Sequence, residues 1–223
     1  MNFRLSSLIL LLHIQGSLTV DNFPVNCNEQ NICAVEVEHV MLLCSYSNIN
    51  IKTGFWFSQK QSQNWREKDE PEDLTLDSDY SGRVNQRITN YHSRLTIRDV
   101  RERDSGEYQL MFIMKDGVKH ISSVTVHLTV TGLQVKMNLI DGQVQLICES
   151  SCNLTYKASY YWHKNGQYIN NINEESRYMF VLPSGSTDSY SCFVTGKNNP
   201  SAYLPCGRGR KCDITLFNQM HSG

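Results

Sequence analysis

The chain has 223 residues, of which 40% are hydrophobic and 19% charged, and 21 lysines and arginines against 22 aspartates and glutamates give a formal net charge of −1. This balance argues against a nucleic-acid binder, which normally carries a basic excess, and the apolar fraction is too high for a disordered chain. By length we expect two globular domains.

The first 19 residues are typical of a secretory signal peptide. One basic residue, Arg4, precedes an apolar stretch at 5–14, and the small or polar residues Gly16, Ser17 and Thr19 follow. The stretch is too short to span a membrane, and no later segment approaches the roughly 18 apolar residues of a span. We therefore expect cleavage between Gly16 and Val20 and a secreted, extracellular product, or else a truncated form of a longer membrane protein. In that compartment an even number of cysteines predicts disulfides.

Beyond residue 21 the pattern is typical of an all-β protein. Short alternating segments rich in β-branched and aromatic residues are separated by turn sequences such as Asp116-Gly117 and Asn165-Gly166, without a helical stripe of useful length. The segment 124–130 alternates strictly between apolar and other residues, as a half-buried strand requires. Strands that recur about every ten residues predict β-sandwiches.

The second half carries a well-known cysteine, tryptophan and tyrosine pattern. Cys148 ends a predicted strand, Trp162 follows 14 residues later, and Tyr190-Ser-Cys192 completes the set. This spacing is the signature of an immunoglobulin domain, in which the two cysteines are bridged between the sheets and the tryptophan packs against the bridge. We predict a Cys148–Cys192 disulfide with Trp162 and Tyr190 in the core.

The first half repeats this skeleton with one cysteine missing. Cys44 ends a strand, Trp56 follows it, and an Asp-Ser-Gly-Glu-Tyr segment ends at Tyr108. The residue two positions after this tyrosine, where the bridging cysteine of an immunoglobulin domain would stand, is Leu110. We predict that Trp56, Tyr108 and Leu110 belong to the core of this domain.

The distance from tryptophan to tyrosine separates two domain types. Tyr108 follows Trp56 by 52 residues, which leaves room for two extra strands, whereas Tyr190 follows Trp162 by only 28. We therefore predict an all-β chain of two tandem immunoglobulin-like β-sandwiches, variable-type and then constant-type. The predicted ranges are a signal peptide at 1–19, a variable-type domain at 22–131, a constant-type domain at 132–203 and, at 204–223, a tail that looks like the truncated start of a further repeat.

Two charged stretches lie in the first domain. Seven acidic residues lie between Glu67 and Asp79, but their spacing matches no calcium loop, and we predict no metal site. Six arginines between Arg83 and Arg103 are expected at exposed strand and turn positions, or facing the acidic segment or a partner. Arg83 is predicted to form a salt bridge with Asp104, because variable-type domains commonly place a basic residue there.

No catalytic constellation is present. The seven histidines are scattered, and no serine or cysteine has the local sequence of a known hydrolase nucleophile, so we predict neither an enzyme nor a small-molecule substrate or cofactor. The spacing of Cys206 and Cys212 with His221 fits no standard zinc site. Asn153-Leu-Thr155 is a glycosylation sequon, whereas the one at Asn199 is blocked by proline.

Several segments carry a family resemblance. They are Ile32-Cys-Ala34, Asp79-Tyr-Ser-Gly-Arg83-Val, the stretch 95–108, the junction Val130-Thr-Gly-Leu-Gln-Val135, and Cys148-Glu-Ser-Ser-Cys152-Asn-Leu-Thr. Through them the chain resembles the siglecs, the sialic-acid-binding immunoglobulin-like lectins, and in particular the B-cell receptor-type siglec-like glycoproteins of bony fish. The resemblance implies roles in cell adhesion and in modulating B-cell receptor signalling, a cell-surface protein or glycan as ligand, and relatives on the external side of the plasma membrane.

The resemblance also implies where sialic acid would bind. The family holds the sialic-acid carboxylate with one arginine, three residues after the tyrosine that corresponds to Tyr108, through two parallel charge-assisted hydrogen bonds. The residue at this position is Met111. Because a thioether offers no donor, we expect arginine-dependent sialic-acid binding to be absent or very weak.

The family's disulfides imply further pairings. In the first domain the siglec bridge joins the core cysteine to one on the strand before Asp-Ser-Gly, at the position of Ser93, so Cys44 lacks its family partner. A cysteine at the position of Cys152 bridges the two domains in siglecs, and we favour Cys33 as its partner. A close pair near the end of the second domain implies a Cys206–Cys212 bridge. This leaves Cys27 to pair with Cys44, or one of the two free.

An alternative hypothesis is that the chain is a truncated or degenerate secreted family member without a specific ligand. The missing partner of Cys44 and the short tail would then reflect relaxed constraint.

Overall fold

The computed structural model consists almost entirely of β-strands and describes residues 18–36, 38–47, 50–67, 70–154, 158–169, 176–181, 188–195 and 214–216. In the first half the strands are β1 (Leu18–Phe23), β2 (Val25–Cys27), β3 (Asn31–Val35), β4 (Val40–Tyr46), β5 (Ile51–Ser58), β6 (Val84–Ile88), β7 (His92–Ile97), β8 (Gly106–Met114), β9 (Lys119–Ser122) and β10 (Val126–Thr131). In the second half they are β11 (Leu133–Ile140), β12 (Gln143–Ser150), β13 (Ser159–Lys164), β14 (Gln167–Tyr168), β15 (Tyr178–Val181), β16 (Asp188–Thr195) and β17 (Ile214–Leu216). Short 3-10 helices cover Gln59–Asn64, Leu74–Leu76, Ser78–Tyr80 and Glu102–Asp104. Within these described ranges, none of the helices has the length and apolar character needed to cross a membrane.

Two sheets face each other in the first half. One has the strand order β1–β9–β8–β10–β3, with β5 also paired to β8, and we call it the front sheet; the other has the order β2–β4–β7–β6, and we call it the back sheet. Side chains alternate in burial along β4, as expected of a strand with one face against a core. The second half forms two further sheets, so the predicted all-β fold with two immunoglobulin-like sandwiches is confirmed.

The first core closes around Trp56 without a disulfide between its sheets. Trp56 on β5 lies directly opposite Leu110 on β8, and each is 1% exposed. Leu42 of the back sheet belongs to the same buried cluster. Burial of apolar side chains therefore holds together two sheets that a covalent bridge joins in the usual immunoglobulin domain.

The expectation of two extra strands in the first domain is wrong for its described residues. Between β5 and β6 these contain 3-10 helices and no strand. The reason is local: Asp73 Oδ1 accepts a hydrogen bond from the amide of Thr75 at 2.8 Å, and Asp77 Oδ1 accepts one from Asp79 at 2.8 Å. Hydrogen bonds from an aspartate side chain to the amide two residues later stabilise turns, and these compete with the pairing of the backbone in a sheet.

A buried ion pair anchors one end of the first sandwich. The Arg83 guanidinium donates to both carboxylate oxygens of Asp104, at 2.7 and 3.0 Å, and both residues are under 9% exposed. Hydrogen bonding to this carboxylate raises the pKa of Arg83. Beside it the Tyr108 hydroxyl donates to the Asp104 carbonyl at 2.6 Å, and burial raises the pKa of Tyr108 well above its ordinary value. The pair thus fixes the turn that leads into β8.

The second sandwich packs the sheet β11–β12–β15 against the sheet β14–β13–β16–β17. The Cys148–Cys192 disulfide joins β12 to β16, and Trp162 is 1% exposed in the same cluster as Tyr190. Ile214–Leu216 pairs with β16, so this sandwich takes a strand from the segment expected to be a separate tail. This pairing lies beyond residue 203, the expected end of the second domain, and the boundary itself stays a prediction.

The junction between the sandwiches is tight. One residue, Gly132, separates β10 from β11, and the Thr131 hydroxyl accepts hydrogen bonds from the amide and hydroxyl of Ser151 at 3.0 and 2.8 Å. Val35, at the end of β3, packs in the buried cluster of the second sandwich. The Cys33–Cys152 disulfide adds a covalent link at this junction.

The first strand overlaps the expected signal peptide. β1 begins at Leu18, and Leu18 and Thr19 pair in parallel with Lys119 and His120 of β9. Most of the expected signal peptide, residues 1–17, lies outside the described residues.

We expect Arg83→Ala to lower the free energy of unfolding by about 3–5 kcal/mol, because it leaves the Asp104 carboxylate buried without its counter-charge. Arg103→Ala is the matched control, since Arg103 is half exposed and 4.0 Å from Asp79. Its effect should stay below about 0.5 kcal/mol. Urea unfolding followed by tryptophan fluorescence would measure both, and equal effects would contradict a structural role for the buried pair.

Candidate functional site

The position that the siglec resemblance singles out lies on the outer surface of the front sheet. Side chains that alternate away from the core on β5 and β8 include Phe55, Phe57, Met111 and Ile113, which we call the outer apolar face. Met111 lies opposite Phe55 on one side and opposite Ile121 of β9 on the other. This placement follows from the two-residue period of strands, since Leu110 and Phe112 on either side of Met111 point into the core.

The outer apolar face is covered by the segment that follows β5. Met111 is 2% exposed and Phe57 is 1% exposed although both point away from the core. The Trp65 ring meets Phe57 edge to face at a centroid distance of 6.0 Å. Pro71 and Met111 line a small cavity of about 130 Å³. This segment therefore occupies the space above the sheet in which a ligand of Met111 would have to sit.

Charges at the rim of this cavity neutralise each other. Lys119 Nζ lies 3.4 Å from Glu70 Oε2, and both residues line the cavity with Phe55 and Ile113. Among the described residues that line it there is no arginine. An incoming carboxylate would have to compete with Glu70 for a single ammonium group, which lacks the planar fork that holds a carboxylate through two hydrogen bonds.

The acidic residues of the same segment serve structural contacts. Asp73 accepts hydrogen bonds from the Gln86 side chain at 2.8 and 2.9 Å, and Glu72 Oε1 lies 3.3 Å from Arg66 Nε. Within the described ranges there is no group of three or more histidine, cysteine, aspartate or glutamate residues placed to hold a metal ion.

Cys44 is bonded to the strand on the opposite side from the family position. Its disulfide partner is Cys27 of β2, which lies directly opposite it in the sheet. On the other side Cys44 faces Ser93 of β7, the residue at the family's cysteine position. Ser93 is 1% exposed, and its hydroxyl has no hydrogen-bond partner. Cys44 is thus bonded to β2, and the residue that faces it from β7 is a serine with a buried hydroxyl.

The remaining predicted positions are dispersed. The Cys33–Cys152 and Cys148–Cys192 disulfides lie at the domain junction and in the second core, and Asn153 is exposed beside the junction. Cys206 and Cys212 lie outside the described residues.

Sequence reasoning missed the covering of the outer apolar face. Trp65 and Pro71 were the available signal, because they are large apolar residues in an otherwise polar and acidic stretch. The sequence does not show that Trp65 packs on Phe57 or that Pro71 lies over the same cavity as Met111, which is 40 residues away.

Comparison with known proteins adds little at the level of function. No protein-family model matches the chain, and no curated protein matches it. Among solved structures, a chimeric titin Z1Z2 functionalized with a KLER exogenous peptide from decorin is similar to part of it, covering 48% of this chain and 94% of its own at 16% sequence identity with a TM-score of 0.34. A likeness this low carries no argument, so the fold assignment depends on the sheets and registers above.

We expect Ser93→Ala to raise the free energy of unfolding by about 1 kcal/mol, because it removes a buried hydroxyl that has no partner. Ser122→Ala is the control, since the equally buried Ser122 hydroxyl accepts from the Leu110 amide at 3.1 Å and donates to the Val124 carbonyl at 2.9 Å. It should lower stability by about 1–2 kcal/mol. Thermal and urea unfolding would measure both variants, and a loss of stability in Ser93→Ala would contradict the unpartnered hydroxyl.

Mass spectrometry of peptides from the non-reduced protein should recover Cys27 linked to Cys44, Cys33 linked to Cys152 and Cys148 linked to Cys192. The physical reason is that each pair already lies within bonding distance in the folded chain. A reduced sample is the control. A peptide that joins Cys44 to any cysteine other than Cys27 would contradict the bridge between β2 and β4.

Proposed function

We propose that the protein is an extracellular recognition protein of the immunoglobulin superfamily, siglec-like, which binds a cell-surface protein or glycan. The two sandwiches and the disulfides are compatible with an extracellular member of this superfamily. The siglec-like descent, a role in cell adhesion and the modulation of B-cell receptor signalling come from the sequence resemblance and are part of the proposal.

The rigid junction supports a role in recognition. A disulfide, the Thr131–Ser151 hydrogen bonds and the packing of Val35 hold the two sandwiches in one orientation. A binding surface presented in this way loses little orientational freedom when it meets its ligand, because that freedom is already restricted.

The single observation that supports our choice of ligand class is the environment of Met111. It is buried beneath the segment that contains Pro71, and the cation beside it, Lys119, is paired with Glu70. We therefore propose that the protein recognises its ligand without the sialic-acid arginine of the siglecs.

The alternative of a degenerate family member without a specific ligand is favoured by one observation, the unpartnered hydroxyl of Ser93. Against it stand two closed cores and the substitute bridge from Cys27 to Cys44. A single homogeneous set of disulfides in the peptide map would count against degeneration.

Multivalent probes of the secreted chain should bind cells of the B-lymphocyte lineage, and sialidase treatment of those cells should leave the binding unchanged, because no guanidinium stands at position 111 to hold the carboxylate. Flow cytometry would measure this, with a sialic-acid-binding lectin as the control that sialidase abolishes.

On a glycan array the same probe should give equal signals for matched sialylated and desialylated glycans. Signals lost on desialylation would refute our interpretation of Met111. If the probe bound none of the leukocyte types tested, the recognition function itself would be refuted.

A further inference from the structure

The outer surface of the back sheet carries two arginines side by side. Arg87 on β6 lies directly opposite Arg94 on β7, and both are exposed. Leu43 of β4 lies opposite Arg94 on its other side, and His92 lies opposite Ser45. Like charges directly opposite each other destabilise an antiparallel pair unless something neutralises them.

Neither arginine has an acidic partner within the described part of the chain. The ion pairs there engage other arginines, such as Arg83 with Asp104 and Arg103 with Asp79, but not Arg87 or Arg94. The two neighbouring guanidinium groups therefore create a positive electrostatic potential on this sheet, which no carboxylate of the described residues neutralises.

A long groove runs over these side chains. Its first part is a cavity of about 580 Å³ lined by Arg87, Arg94, His92, Leu43 and Ser45, among others. It adjoins a second cavity of about 510 Å³, which shares Ser45 and His92 and reaches Tyr91, a side chain that is 53% exposed. No carboxylate is found among the described residues that line either part.

We propose that this groove binds a sulfated glycan. The two guanidinium groups are suited to hold sulfate oxygens through charge-assisted, paired hydrogen bonds. The His92 imidazole can exchange hydrogen bonds with sugar hydroxyls, and the Ser45 hydroxyl, which donates to the Asn26 carbonyl at 3.3 Å, can accept one. The exposed Tyr91 ring offers a flat surface for the apolar face of a sugar.

The composition of the groove favours a sugar chain over an acidic protein. Protein interfaces depend on large apolar or aromatic anchors buried at their centre. The large side chains of the groove that are both apolar or aromatic and more than one-third exposed are Leu43 and Tyr91, counted over the described lining. They flank a polar floor, which suits a ligand whose own surface is mostly hydroxyl and sulfate.

This site is separate from the position of Met111, which lies on the front sheet of the same sandwich. The proposal therefore concerns a different surface, and its failure would leave the proposed function and our interpretation of Met111 unchanged.

The test uses the full secreted chain and a heparin-derived octasaccharide immobilised on a sensor surface. The double variant Arg87→Gln and Arg94→Gln should weaken binding by about tenfold or more, since it removes both charged donors. The matched control is Lys52→Gln with Lys115→Gln, which removes the same charge from exposed positions at the front sheet and should change binding less than about twofold. Arg87→Lys with Arg94→Lys, which keeps the charge but not the fork, should lie between the two.

Further measurements keep the result decisive if the glutamine variant fails to fold. On the unaltered protein, inorganic sulfate should compete with the octasaccharide better than chloride at equal ionic strength, and Tyr91→Ser should weaken binding while leaving its salt dependence unchanged. Failure of the unaltered chain to bind, or equal binding of chemically desulfated octasaccharide, would overturn the proposal. Tighter binding of a polyglutamate peptide than of the octasaccharide would overturn it in favour of an acidic protein partner.

Discussion

The first sandwich depends on the packing of Trp56 between two sheets that no disulfide joins. Because Leu110 occupies the place of the usual second cysteine, the buried apolar cluster and the Arg83–Asp104 ion pair resist separation of the sheets. Cys44 bonds within its own sheet, to Cys27 of β2.

The N-terminal strands connect this core to the second sandwich. β2 belongs to the back sheet and is held there by Cys27, whereas β3 crosses to the front sheet and pairs in parallel with β10. This crossing brings Cys33 to the end of the sandwich, where it bonds to Cys152. One disulfide in this short stretch of chain therefore holds β2 in the back sheet, and the other links the first sandwich to the second.

The two outer surfaces of the first sandwich differ in physical character. The front sheet has an apolar outer face, and the segment after β5 covers it. Burial of Phe57 and Met111 is favourable, and this free energy would be lost if the two side chains were exposed to water. The outer face of the back sheet carries the exposed Arg87 and Arg94, which water solvates well, beside Met41 and Leu43, which are also exposed. The segment after β5 therefore covers Phe57 and Met111 on the front sheet, whereas Arg87 and Arg94 on the back sheet are exposed.

Local sequence patterns were sufficient for the fold class and for the central core residues. Apolar and polar residues alternate along the strands, and Cys148, Trp162 and Cys192 have the spacing of an immunoglobulin-like sandwich. Both patterns reflect local geometry that every such sandwich shares, so they can be found in the sequence. The expected strands after β5 did not form, because side chains such as Asp73 bind the nearby backbone and favour turns. The role of residues 214–216 was also missed, since a strand's partner is set by the free edge that it meets.

Composition and spacing by themselves determined that this chain forms β-sandwiches with buried tryptophans and that position 111 lacks a cationic side chain. Only the tertiary structure decided that Met111 is covered, that Cys44 turns toward β2, and that two arginines seven residues apart stand side by side. The physical reason is that strand pairing and loop packing join residues distant in sequence, and their contacts depend on register and on which surface most needs burial.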